Sequence, residues 1–313
     1  MFMYEEAAKL SIFGIQVYAF GFYAAIGALA MLAAVAILSR HTKCVKGTAP
    51  LTMLLSMVCG AIASRIVYCL LTQRLGQTVP LKYWVTAATG GGWSMMGLIG
   101  GVFAGTRIAA GLTGQKYGRL ADITACALPL FIAFERFGEK YIEGFDTSRP
   151  LTTDIFNNTF LYMAGDYDPY LATFYLAAIA AAVLFVILLA DLLQKRRGGD
   201  TAILFLLLFG AGATILESLR YDRFLSITFV NLEQIMAMVC LWTGVILACT
   251  RAKGRKGLKR AAAVSLPVAT AIGVALEFAI DRTKISHLLI YAVFIIVIFT
   301  PAVLGINLRS KAK

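Results

Sequence analysis

Long apolar runs, interrupted by short and mostly basic polar stretches, set the pattern of this chain. The runs fall at about 16–39, 49–72, 84–112, 119–135, 169–190, 201–218, 229–250, 261–280 and 286–307. Each approaches or exceeds the roughly 20 residues needed to cross a bilayer core as a helix. They are apolar throughout instead of alternating apolar with polar, which argues against an outer-membrane barrel. The pattern predicts an all-α polytopic membrane protein with about nine transmembrane helices.

One apolar run is unusual. The stretch 89–105, TGGGWSMMGLIGGVFAG, is crowded with glycines around Trp93, Ser94, Met95 and Met96. Glycine lets helix backbones approach closely, so tight small-xxx-small packing is one reading. The other is an interrupted helix whose backbone lines a polar cavity. Both stay open.

Composition agrees with the spans. Of 313 residues, 59% are hydrophobic and 15% charged, against about 25% charged in a soluble domain. The mean hydropathy is +0.78. A net charge of +12 invites a nucleic-acid partner, but the basic residues cluster in short loops between spans, so no nucleic acid is expected. The six cysteines stand singly and no His/Cys cluster occurs. Neither a disulfide framework nor a metal site is indicated, and no cofactor is expected. The start, MFMYEEAAKLSIFGIQ, lacks a basic n-region and reads as a retained, slightly acidic leader.

The loop charges give an orientation. Arg40, Lys43 and Lys46 follow the first span, Lys116 and Arg119 the third, and Lys195, Arg196 and Arg197 the fifth. Arg251, Lys253, Arg255, Lys256, Lys259 and Arg260 follow the seventh, and Arg309, Lys311 and Lys313 end the chain. With nine crossings these all lie on one side, which is then cytoplasmic, with the N-terminus outside. The segment 136–168, rich in acids and aromatics, falls outside as a solvated loop or an amphipathic arm.

Few charges interrupt the runs: Arg65, Asp122, Glu135, Arg136, Glu217 and Arg220, with Gln234 and Tyr68 nearby. Charge in hydrocarbon must be paired or hydrated. Glu217 and Arg220 share a helix face at i, i+3. Arg65, Arg136 and Arg220 come from three spans and are expected near the outer surface. Guanidinium forks suit phosphate, so a phospholipid headgroup is one expected partner. A network of structural ion pairs with Glu135, Glu139 and Glu217 is the alternative.

Several pieces, taken in order, resemble the bacterial prolipoprotein diacylglyceryl transferases over about 17–247. These are YAFGFYAAIG (18–27), SRIVY (64–68) and GGWSMMGLIGG (91–101). Asp122 and Pro129 then precede Arg136-Phe137-Gly138, and Glu217-Ser218-Leu219-Arg220 and Leu232-Glu233-Gln234-Ile235 follow. There are departures. Met96 stands where the family has a histidine, Glu139 where it has an asparagine, Ala213 where it has an arginine, and Phe20 where it has a tyrosine.

The resemblance implies a seven-helix transferase body over 1–250, a basic cytoplasmic linker over 251–260 and a two-helix extension over 261–313. It implies transfer of diacylglyceryl from phosphatidylglycerol to the cysteine thiol of a prolipoprotein lipobox, in the bacterial cytoplasmic membrane. Arg136, Glu139 and Glu217 are the implied catalytic residues. Arg65, Tyr68, Gly92, Ser94, Met96, Gly97, Arg136, Gly138, Arg220 and Gln234 are the implied lipid-binding set. A catalytically lapsed lipid- or lipoprotein-binding relative is the alternative, because the family's histidine, asparagine and one arginine are replaced. A secondary transporter would require an inverted repeat, and none is visible.

Overall fold

The structure, a computed structural model, describes residues 9–12, 15–74, 92–141, 148, 151, 154–164, 168–194, 197–220, 226–227, 230–283 and 285–309. Among them are nine long helices. These are α1 (Ala19–His41), α2 (Thr48–Arg74), α3 (Met95–Thr113), α4 (Tyr117–Gly138), α5 (Thr173–Leu193), α6 (Asp200–Leu219), α7 (Leu232–Arg251), α8 (Lys256–Arg282) and α9 (His287–Leu308). Three two-stranded antiparallel hairpins accompany them: β1–β2 (Lys9–Ile12 with Ile15–Tyr18) before α1, β3–β4 (Tyr162–Ala164 with Pro169–Leu171) and β5–β6 (Ser226–Ile227 with Val230–Asn231) between helices.

Eight of the nine helices are long and apolar enough to cross a membrane, and the chain is an all-α polytopic membrane protein. Leu29, Ile37, Leu54, Ile66, Val183, Val239 and Ile296 stand exposed on these helices, as side chains facing lipid would. The exception is α4, where only 12 uncharged residues separate Asp122 from Glu135. Its burial explains how it is tolerated: Leu120 to Pro129 are all buried, so protein surrounds its middle.

The third helix begins at Met95, about ten residues after the expected start, and the residues before 92 on that side lie outside the described part. Ser94 sets the start, because its Oγ accepts the Gly97 N–H at 3.2 Å and so satisfies one of the orphan donors of the first turn. From there α3 runs unbroken to Thr113. The glycines serve packing. A Cβ at Gly101 would overlap the Cys59 carbonyl, one at Gly105 the Leu55 carbonyl, and one at Gly97 would sit 2.8 Å from the Ala63 oxygen. The pairing descends α2 as it ascends α3, so the two are antiparallel, pressed backbone to backbone in the small-xxx-small manner.

The chain forms two compact units, Met1–Phe145 and Asp146–Lys313. In the first, α1 lies along α4, with Gly27 against Phe131 and Gly138 against Tyr23. Hydroxyls tie three helices together: Ser56 and Thr106 are 3.0 Å apart, and Thr106 donates to Thr124 at 3.2 Å. In the second unit the two helices expected as an extension share one core with α6 and α7. Leu207, Leu241 and Val245 pack with Phe294, Ile298 and Ala302. The expected basic linker is shorter than 251–260, since Lys256, Lys259 and Arg260 already belong to α8.

Between the units' helices, the expected acidic segment is partly described. It contains short 3-10 turns at Glu139–Tyr141 and Asp154–Phe156 and the β3–β4 hairpin. Glu143, Asp146 and Asp166 lie outside the described residues. None of the three hairpins was expected from the sequence.

Candidate functional site

In the first unit, α1, α2, α3 and α4 enclose a cavity of about 400 Å³. Antiparallel packing brings the N-terminal ends of α1 and α3 to the C-terminal ends of α2 and α4. Here Tyr18, Ser64, Trp93, Ser94 and Glu135 line the wall. Further along, Met31, Met57, Val102 and Leu128 take over. From Glu135 to Leu128 the helix rises about 10 Å. The cavity therefore has one polar end and one apolar end, a profile that suits an amphiphile.

The mouth is built from three loci. Arg136 follows Glu135 at the end of α4, and its Nε lies 3.6 Å from a Glu135 carboxylate oxygen. Its Nη1 donates to Glu139 at 2.7 Å. Glu139, one residue past the helix, is buried. Two carboxylates thus flank one guanidinium beside the cavity, an arrangement that holds the arginine in place and adds negative charge around it. Gly138 permits the turn to close on α1, since a Cβ there would sit 3.0 Å from Tyr23 Cβ. The Tyr23 and Tyr141 rings stack with centroids 5.3 Å apart, and their hydroxyls are 3.3 Å apart.

The second locus docks the segment before α3 onto α2. Arg65 Nη1 donates to the Gly92 carbonyl at 2.8 Å, and Ser64 Oγ donates to the Ser94 carbonyl at 2.8 Å. The Ser94 N–H returns a bond to the Ser64 carbonyl. Gly92 has φ +78°, and a Cβ there would collide with the Tyr68 ring. Only glycine meets both demands. Arg65, Tyr68, Gly92, Ser94 and Gly97 therefore form one clasp that fixes Trp93 and Ser94 at the mouth. Of the residues expected from this stretch, Ser94 lines the cavity and Gly97 faces α2. Met96 is buried, and its neighbour Met95 is the one on the wall.

The third locus is the first span. Phe20, at the family's tyrosine position, lines the cavity, and so does Tyr18. A phenol is thus present in the wall two residues from its expected place. The sequence reading had Glu135 as a pairing acid only. Its place in the wall, together with that of Trp93, was missed, although the adjacent Glu135-Arg136 was the signal at hand.

The remaining expected residues lie in the second unit. Arg220 Nε is 3.8 Å from Glu217, which is buried at the end of α6. The Glu217 carbonyl accepts from Asn231 Nδ2 at 2.9 Å. Gln234, buried in the first turn of α7, donates from Nε2 to the Thr214 carbonyl at 3.2 Å and to Glu277 of α8 at 2.7 Å. Tyr291 of α9 donates to the Ser218 carbonyl at 3.2 Å. Glu277 and Tyr291 were not among the expected site residues.

Among the described residues no group of three or more His, Cys, Asp or Glu side chains is placed to hold a metal ion. What the first unit offers is a cavity among apolar helices with Glu135 in its wall and Arg136 paired to that acid beside it. Residues 7–250, well over half of the chain, match the family model of prolipoprotein diacylglyceryl transferase, and the chain belongs to that family. No curated protein matches it. The family match ends just before α8, so α8 and α9 lie beyond the matched region.

Proposed function

We propose that this transferase-family protein moves a diacylglyceryl group from phosphatidylglycerol to the cysteine thiol of a prolipoprotein signal peptide. The observation that carries the reading is the cavity whose mouth holds Glu135 beside Arg136 and whose floor is apolar. The diacylglyceryl part would occupy the floor, with the phosphate at Arg136. In the reaction the cysteine Sγ attacks the terminal glyceryl carbon and the carbon–oxygen bond to phosphate breaks. Glycerol phosphate leaves with that electron pair, and the thiol proton passes to a carboxylate. Glu139 is the proposed acceptor, with Arg136 stabilising the charge that builds on the leaving phosphate. Removing one donor of that kind costs about 10²–10³ in kcat elsewhere. A general base supplies about 10²–10⁴.

Arg65, Tyr68, Gly92 and Gly97 act in this reading by placing Ser94 and Trp93, while Gly138 closes the turn that carries Arg136. Met96 has no base to offer. The protein would sit in the bacterial cytoplasmic membrane with its N-terminus outside and its C-terminus in the cytoplasm, as its loop charges direct.

The test is release of glycerol phosphate from phosphatidylglycerol vesicles containing purified protein and a lipobox peptide. Release above a protein-free control is expected. None from folded protein would contradict the reading.

A second reading has its own observation: Arg136 already engages Glu139 and Glu135, and Met96 replaces the family histidine. A lapsed relative would bind phosphatidylglycerol in an Arg136-dependent way without forming product. The Met96→His, Glu139→Asn pair would then restore turnover.

A further inference from the structure

Of the eight apolar spans, α5 is the most apolar and the least buried. Its open face is continuous, since Ile179, Ala182 and Val186 are all exposed. At about 100° per residue they lie within about 40° of Tyr175 around the helix axis. On a membrane span such a stripe faces lipid. With 21 residues the helix is about 31 Å long, which matches the roughly 30 Å of a bilayer core. The hydrocarbon therefore ends close to Thr173, and Tyr175, half-buried in the first turn, stands at the headgroup boundary.

The turn that leads into β3 places a second ring at this point. Phe160, 66% exposed, meets the Tyr175 ring edge-on with centroids 6.1 Å apart. It therefore continues the lipid-facing stripe of α5 at its N-terminal end. The backbone holds it there. The Ala172 N–H donates to the Leu161 carbonyl at 2.8 Å, tying the residue after Phe160 to the residue before the helix. The Leu171 N–H donates to Ser148 Oγ at 2.7 Å, and Tyr162 pairs with Leu171 in the hairpin. The turn also bonds itself, with Thr159 Oγ1 donating to the Phe156 carbonyl at 2.7 Å and Asn158 reversing the chain at φ +63°. A turn whose backbone groups are paired internally enters an interface at little cost.

The sequence of the turn and β3, DIFNNTFLYMA (154–164), carries one carboxylate and neither lysine nor arginine. Attraction to a charged headgroup is thus not its means of binding. Aromatic rings with one apolar and one wet side favour the membrane–water boundary whatever the headgroup charge.

We propose that the β3–β4 hairpin is an interfacial anchor. Phe160 inserts into the headgroup–acyl boundary of the bilayer at the N-terminal end of α5 and holds the hairpin on the membrane surface. Its partner is the lipid surface itself, recognised by apolar and aromatic contact.

The experiment places full-length protein in phosphatidylcholine nanodiscs and compares Phe160→Trp with wild type, so that the native tryptophans cancel. The introduced indole should emit at shorter wavelength than an indole in water and resist iodide. It should be quenched more by lipid brominated near the head than by lipid brominated near the chain end. A second measurement needs no indole. Phosphatidylcholine carrying a diazirine near its glycerol should label the 154–164 peptide of wild type. Phe160→Ser should lower that labelling about ten-fold, as expected when roughly half of a phenylalanine's transfer out of water is lost, with the unfolding temperature unchanged. Replacing phosphatidylcholine by phosphatidylglycerol should leave both signals as they were. An indole open to iodide and untouched by brominated lipid would overturn the proposal, as would labelling indifferent to Phe160→Ser or dependent on anionic lipid. Loss of lipid quenching on adding a lipobox peptide would assign the ring to a peptide and overturn it equally. No turnover enters either measurement, so the anchor stands or falls apart from the transferase reading.

Discussion

The two units use polar groups differently. In the first, polar side chains open toward a cavity, and the helices are held mainly by glycine surfaces pressed on neighbouring backbone. Arg136 finds its acids one and three residues away. In the second, polar groups join helices that are distant in sequence. Arg309 bonds Asp191, 118 residues away, Tyr291 bonds Ser218 across 73, and Gln234 bonds Glu277 across 43. Van der Waals fit can hold two membrane helices together when their backbones approach closely. That leaves Glu135 and Arg136 of the first unit available for a site, while hydroxyls at Ser56, Thr106 and Thr124 join its helices. The second unit, with fewer small-residue seams, uses its charges as staples.

The comparison breaks if the staples are not needed. Arg309 and Asp191 are both buried, and Thr201 also donates to Asp191 at 3.0 Å. Arg309→Ala would remove a buried ion-pair partner of Asp191, a loss of about 3–5 kcal/mol. Thermal unfolding in detergent should show a large downward shift, with Asp191→Asn, Arg309→Met recovering much of it. An unchanged midpoint for Arg309→Ala would remove the contrast between the units.

A somewhat smaller effect probes the other side. Gly101→Ala forces a methyl group onto the Cys59 carbonyl and should cost about 1–3 kcal/mol, the usual penalty of overpacking. Because the α2–α3 seam also fixes the clasp at Ser94, activity should fall along with stability. Gly100→Ala meets nothing within 4 Å and should be neutral in the same assays. Equal behaviour of the two variants would show that the seam is not close-packed.

The smallest effect sharpens the picture within the second unit. Trp242→Phe removes the bond to Thr270 while keeping most of the ring. A loss of about 0.5–1.5 kcal/mol is expected, read as a shift of a few degrees in the same unfolding assay. No shift would mean that α8 is held by its apolar core alone.

How legible this was depends on range. The helices could be read from the runs, because lipid-crossing segments must be long and apolar. The glycine-rich stretch allowed packing as one of two readings, and the close approaches at Gly97, Gly101 and Gly105 decide for it. The start of α3 could be missed by ten residues because hydropathy does not register a cap, and Ser94 is what sets it. The hairpins have strands of two to four residues, too short for any periodicity to show. Asp191 and Arg309 look like ordinary loop-edge charges until the fold brings them together. Glu277 is an acid in an apolar run, yet nothing local to it names Gln234 as its partner. At the cavity mouth the arginine was legible, whereas the acid beside it that lines the wall was taken for a mere counter-charge.

The central claim is that the guanidinium at the first unit's cavity supports transfer of a diacylglyceryl group to a thiol. Its most direct test is the intact mass of a lipobox peptide after incubation with phosphatidylglycerol and purified protein. The account expects a diacylglyceryl adduct on the cysteine sulfur with wild type, and at least about 100-fold less with a folded Arg136→Ala variant. An unmodified peptide with wild type, or equal modification by the two proteins, would contradict it.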